Sequence, residues 1–431
     1  MRWTSIAVAA AACGSSAPKP AADAAVDCSQ PAGHGVLDRC FGEHGVTLTE
    51  AGAQQRVVSL LVTPDDHVVA VGLIGIASTP QLALARYTPD GHIDPSFGGG
   101  LVIAQLPGSS TTTYAYGAAL APDGSVLVAG TAGATSQAAI VRFTAAGALD
   151  ATFGTGGVAL VGAANGYATG ALVLGDGRIL AAGGAMPATV EIARLTSAGA
   201  LDPTFGTAGV FSDALSAPLF FPETVAFTSD GGVALAGQVQ TTAAADVDPG
   251  VAHYTSSFTH ATSFLDAVTA FDLGEADEAL IGAVGASATG GFVYAGSHLY
   301  TPASMANASE VFAVAITSTG ALDTSYASGG VFHATFGEAF AAAQAGVVAG
   351  DGSLVLAGRF TNAMASGASL YRLDAHGAPD ATFGNGGERE IVFPNATNDP
   401  GEATALAIDS QGRYLVAGDV GSSWFLSRYW P

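Results

Sequence analysis

Arginine and aspartate recur together in this chain eight residues apart: Arg86 with Asp94, Arg142 with Asp150, Arg194 with Asp202 and Arg372 with Asp380. A guanidinium and a carboxylate that meet across a short turn form a charge-assisted, bidentate pair. The preferred reading is a structural pair within each unit, and a ring of ligand-binding pairs is the alternative. One copy loses both partners, with His253 and Ala261 in their places, which fits pairing; another keeps Asp323 beside Ala315, which does not.

Two other groups have chemistry to offer. Asp246 and Asp248 supply carboxylate oxygens of the kind Ca²⁺ takes in numbers, although no complete ligand loop surrounds them and an acidic turn is the plainer reading. Tyr114, Tyr116, Phe220, Phe221 and Tyr300 fall in irregular stretches and offer an aromatic platform for a sugar, a peptide or a protein, or else anchor their own loops. No other cofactor is expected. The nine His are scattered without a zinc-binding spacing, and no nucleophile elbow or phosphate-binding loop occurs. An enzyme would need carboxylates converging in space, as in a hydrolase or lyase with a metal at its centre.

The elements that position these residues are set by a repeat. The aromatic of a Phe-Gly word falls at Phe41, Phe97, Phe153, Phe205, Phe264, Tyr326 and Phe383, at intervals of 52 to 62 residues. A second word, apolar residues then Ala-Gly or a near match, ends at Gly72, Gly130, Gly183, Gly237, Gly296, Gly358 and Gly418. Each unit offers four short apolar runs separated by Gly, Pro and Asp signals, and none has the length or period of a core helix. Asp-Gly turns such as Asp123-Gly124 and Asp351-Gly352 suit tight hairpins. In Leu-Asp-Pro-Thr-Phe-Gly, Asp202 caps a single turn, Pro203 fits its first position and Gly206 ends it. The prediction is an all-β, seven-bladed β-propeller of four-stranded blades spanning residues 35–431. Its N-terminal strand, near Gly45 to Thr49, should complete the blade that ends at Tyr429 and so close the ring.

Composition sets further bounds. The chain is 49% hydrophobic and 11% charged, with a formal net charge of −23, which argues against nucleic acid. Residues 1–12 read as a lipoprotein-type signal peptide, with Cys13 as the lipidated residue and residues 14–34 as a disordered tether. The membrane is then met through the lipid anchor only, on an exported protein at the outer membrane or periplasmic face, expected to be a monomer. An ordinary cleaved signal is the alternative. Cys28 and Cys40 remain as a pair able to form a disulfide in an oxidising compartment. Cys40 precedes Phe41 where later copies have Ser or Thr, so this bridge would pin the entering chain to the first unit.

The motif GxLDxxFGxxGV, the Asp-Gly turn and the Ala-Gly word together resemble the delta-sixty repeat family, over residues 35–430. The stretch from Ala407 to Gly418 is also similar to NHL-type propeller blades. The resemblance implies an exported propeller of undefined activity and carries over no catalytic residue. The expectation is therefore a non-catalytic binding or scaffold propeller. Its irregular insertions, Ser109–Tyr116, Phe211–Glu223, Gln238–Gly250, Ser297–Val311 and Pro394–Glu402, share one face. That face is the candidate binding surface.

Overall fold

A computed structural model describes residues 33–431 except 53, 77–79, 105, 107–113, 134, 163, 187, 215–218, 229–230, 241–246, 259–267, 271–277, 288, 301–307, 337–339 and 394–399. The described residues form seven four-stranded antiparallel blades arranged as a β-propeller, without helices. Numbered from the first complete one, blade I begins at Arg56, blade II at Tyr114, blade III at Gly166, blade IV at Leu219, blade V at Glu278, blade VI at Phe340 and blade VII at Glu402. Blades IV and V are joined in one sheet by a single parallel pairing of Val247 with Glu278.

The ring closes as the repeat phase requires. Strand Val46–Glu50 pairs antiparallel with Ser423–Tyr429, in register from Val46 opposite Ser427 to Glu50 opposite Ser423. The first copy of the Leu-Asp motif goes with it: Arg428 donates to Asp38 at 2.9 Å through Nε, and the Arg413 guanidinium lies 3.5 Å from the same carboxylate. Cys40, two residues on, is disulfide-bonded, and its partner lies outside the described residues.

The second strand of a blade is its apolar centre. Val126–Ala132 and Ile179–Ala185 are buried along their whole length, which is why these runs are almost continuous in aliphatic and small residues instead of alternating. Cores form between neighbouring blades: Phe97 of blade I packs with Val126, Val128 and Phe143 of blade II.

Beside the Ala-Gly word every innermost strand carries a β-bulge. The glycine's partner is followed by one unpaired residue, as between Ala115 and Gly117 in blade II and between Ala343 and Ala345 in blade VI. Glycine is needed opposite the bulge because the bent strand pushes a carbonyl into the space of a Cβ. A Cβ on Gly130 would lie 1.8 Å from the Tyr114 carbonyl, and one on Gly358 would lie 1.8 Å from that of Ala342. The repeat word is thus a device for bending the strand that lines the channel.

Candidate functional site

The seven bulge residues are Val58, Tyr116, Thr169, Glu223, Gly282, Gln344 and Thr404, one from each blade. All seven line the central channel around a cavity of about 390 Å³. They sit near the starts of the innermost strands, and so toward the face that carries the insertions, away from the Asp-Gly turns.

The ring is chemically uneven. On the side of blades VI, VII and I, Gln344 Nε2 donates to Glu402, Arg56 donates to Gln344 Oε1, and the Thr404 hydroxyl donates to the Val57 carbonyl at 2.6 Å. These groups satisfy one another. On the opposite side Tyr116, 45% exposed, meets Tyr167 edge to face with ring centroids 5.8 Å apart. The Tyr167 hydroxyl and the Pro222 ring converge over Gly184, where a Cβ would meet them at 3.0 and 3.1 Å. Glu223 follows Pro222 in the chain.

Glu223 is the one carboxylate among the residues lining this cavity. Its Oε2 accepts from the Ile281 backbone N–H at 2.6 Å, across the joint from blade IV to blade V, and its Oε1 accepts from Gln238 Nε2 at 2.9 Å. Burial disfavours the charge and pushes this carboxyl up to about 7, against the two hydrogen bonds, which favour ionisation. The Tyr167 hydroxyl is held well above its ordinary range, mainly by burial and then by the negative charge of Glu223.

The repeated Arg and Asp lie on the other face. Arg86 donates to Asp94 through Nε at 2.7 Å, and Arg194 to Asp202 at 2.8 Å. Arg142 pairs with Asp150 at 2.5 Å, and Arg372 also pairs with Asp380. The arrangement welds one blade to the next. Arg86 stacks over Phe97 at 4.9 Å and donates to the Ala145 carbonyl of blade II at 2.9 Å, while Arg142 stacks over Phe153 and donates to Ser197 of blade III at 2.7 Å. The second carboxylate oxygen of Asp94 accepts from the Ser96 N–H at 2.9 Å and from the Ser96 hydroxyl. The Ser96 hydroxyl, with further help from Arg86, holds the Asp94 carboxyl down to about 2. Where Arg is replaced by Ala315, the Thr289 hydroxyl donates to Asp323 instead, at 2.7 Å. His253, standing for Arg in blade IV, packs against Phe292 with ring centroids 4.8 Å apart.

The other residues singled out in the sequence are dispersed. Cys13, Cys28 and Asp246 lie outside the described residues, as does the side chain of Tyr300. Asp248 is buried at 7% exposure in strand Val247–Tyr254. Phe220 is 1% exposed in the core between blades III and IV, so it belongs to no exposed platform. Phe221 and Tyr114 are partly buried, and Tyr116 alone of the described aromatics in this group lines the channel. Glu310, on blade V, is 3.2 and 3.1 Å from ring nitrogens of His298 and His333. Among the described residues no group of three His, Cys, Asp or Glu is placed to hold a metal ion.

Sequence reasoning passed over Tyr167, Gln238 and Gln344 and did not single out Glu223. A signal existed: each bulge residue stands seven positions before the residue that precedes the turn glycine, or Asp66 in blade I, as Tyr116 does before Asp123 and Glu223 before Asp230.

Four segments, residues 63–97, 121–153, 174–205 and 349–383, match the model of a domain of unknown function (DUF5122) beta-propeller. No curated protein matches the chain. Among solved structures, the extracellular domain of a hybrid two-component-system protein of B. thetaiotaomicron is 11% identical at a TM-score of 0.48, with 89% of this chain and 40% of that chain covered. A streptogramin B lyase is 11% identical at a TM-score of 0.47, over 89% of this chain and 98% of that one. The polysaccharide lyase Uly1 is 10% identical at 0.45, over 86% and 89%. These likenesses say nothing about what this chain binds or does.

Proposed function

We propose that the protein is a binding propeller that receives a small ligand, or the tip of a larger one, at the insertion-face mouth of its channel. One observation carries the reading: a bulge in every blade turns a residue toward the channel, glycine in blade V and side chains of differing chemistry in the other six, while the frame repeats. A merely structural ring would be filled by equivalent residues. A cavity with convergent polar groups on a rigid scaffold is the usual form of a recognition site.

Binding is preferred to metal-assisted hydrolysis on the donor set. The cavity lining supplies one carboxylate, and a hard divalent cation takes six or more oxygen ligands. Tethering at the cell envelope through Cys13 is part of the same proposal and rests on the Ala-Ala-Ala-Cys sequence.

A thermal-shift screen of glycans, peptides and small polar molecules tests the binding reading. At least one class should raise the melting temperature of the parent and not of Tyr116→Ala, with the ligand recovered unchanged by mass spectrometry. Stabilisation that ignores Tyr116→Ala, or conversion of the ligand, would count against it. Cys13→Ser should move the protein from the membrane to the soluble fraction, and an unchanged distribution refutes the anchor.

A further inference from the structure

The uneven ring at the channel mouth specifies a charge. Glu223 has only neutral donors, the Ile281 N–H and the Gln238 amide, and no Lys, Arg or His of the described residues pairs with it. The guanidinium at the mouth, that of Arg56, is engaged by Gln344, which in turn donates to Glu402. An ionised carboxylate enclosed by protein without a counter-charge is costly, and a cation arriving from solution offsets that cost.

The surface beside Glu223 decides which cation. Tyr116 and Tyr167 offer two rings at 61° to each other, a corner whose ring faces attract positive charge spread over alkyl groups. Over Gly184 lie both the Tyr167 hydroxyl and the ring of Pro222, the residue before Glu223, and that hydroxyl is near enough to the Glu223 carboxylate to feel its charge. A strongly hydrated metal ion gains little from ring faces and finds one carboxylate. A neutral sugar leaves the charge on Glu223 uncompensated. The net charge of −23 adds a field that concentrates cations near the surface.

We propose that the channel mouth binds an organic ammonium ion, with Glu223 as its counter-charge and the Tyr116–Tyr167 corner as the seat for its alkyl groups. The proposal rests on the reading of the mouth as a binding site and names its ligand class. Among the described residues, other ionisable groups near the mouth include the two tyrosines themselves, Tyr114 beside Tyr116, and Arg56 and Glu402 on the far side of the channel.

Calorimetric titration of the full chain with choline chloride, against 3,3-dimethylbutan-1-ol as a neutral analogue of the same shape, tests it at constant ionic strength. Choline should bind at least about tenfold more tightly than the alcohol, a difference of about 1.4 kcal/mol. Glu223→Gln should remove that preference and Tyr116→Ala should weaken choline several-fold. Circular dichroism confirms that both variants fold, and the amide introduced by Glu223→Gln keeps an oxygen to accept from Ile281. Equal binding of the two probes, an unchanged affinity in Glu223→Gln, or no heat with millimolar choline overturns the proposal. If choline fails while a neutral ligand from the thermal-shift screen binds and is lost in Tyr116→Ala, the ligand class is wrong and the binding site stands. If neither binds, both readings fall.

Discussion

Two carboxylates of this protein carry opposite pH signatures. Glu223 has a folded value raised from 4.5 to about 7, so the protonated form is favoured by folding. Its contribution is full below about pH 4.5 and is lost as pH rises through 7, by at most ~3 kcal/mol. Asp94 is depressed from 3.8 to about 2, so its contribution is present above 3.8 and is lost as pH falls toward 2. Chemical denaturation followed from pH 7.5 to 4.5 should therefore show stability rising in the parent and a flatter course in Glu223→Gln. Identical slopes would show that Glu223 is not desolvated in the folded state. The Arg–Asp pairs were legible in the sequence because the eight-residue spacing spans one turn, while the contacts that replace them in the worn copies, through Thr289 and His253, came only with the structure. The spacing to its turn marks Glu223 as a bulge position, but its environment was not legible, because that comes from residues of three blades. Nothing local marks Gln238 or Ile281 as its neighbours.

At the scale of an element, the Ala-Gly word is the feature whose meaning changed most on folding. It read as the end of an apolar strand, and it is the seat of the bulge that aims one residue per blade into the channel. Gly130→Ala should then cost about 2–4 kcal/mol or reshape the strand at Tyr116, because its Cβ would meet backbone at 1.8 Å. Gly175→Ala, whose Cβ meets nothing within 4 Å, should stay within about 0.5 kcal/mol of the parent. Urea titrations of the two variants make the comparison, and equal losses would show that the bulge does not depend on glycine. The Phe-Gly word was read more fully from sequence, since the Asp cap that precedes it is a local matter. Its second role was hidden: the arginine over the ring donates to the next blade, a contact 55 residues away for Arg142 and Ser197. Arg142→Lys should lose about 1–2 kcal/mol despite keeping the charge, because an ammonium cannot stack on Phe153 while donating to both Asp150 and Ser197. Full stability in the lysine variant would reduce the weld to a simple ion pair.

At the scale of the whole molecule the seven-fold count and the closing strand were both readable from the phase of the repeat, because a chain that starts on one fragment of a unit and stops on its complement can close in only one way. The phase does not reveal how heavily the closure is built. Val46–Glu50 supplies the backbone ladder, and Asp38, 5% exposed on its side chain, receives Arg428 and Arg413, whose side chains are 7% and 9% exposed. Two perturbations separate these parts. Asp38→Ala leaves two nearly buried guanidiniums short of a carboxylate and should cost about 3 kcal/mol, while the strand still pairs and the oligomeric state matches the parent's. Deleting residues 35–50 removes the strand as well, turning Ser423–Tyr429, with Trp424, Phe425 and Leu426, into a free edge. Such an edge invites a second copy to supply the missing partner. The deletion should therefore lower the melting temperature further than Asp38→Ala and produce concentration-dependent dimers, measured by calorimetry and by sedimentation velocity. A deletion variant that is monomeric at every concentration and melts with the parent would mean that the ring is held by its blade-to-blade cores, and that the closing strand adds nothing to them.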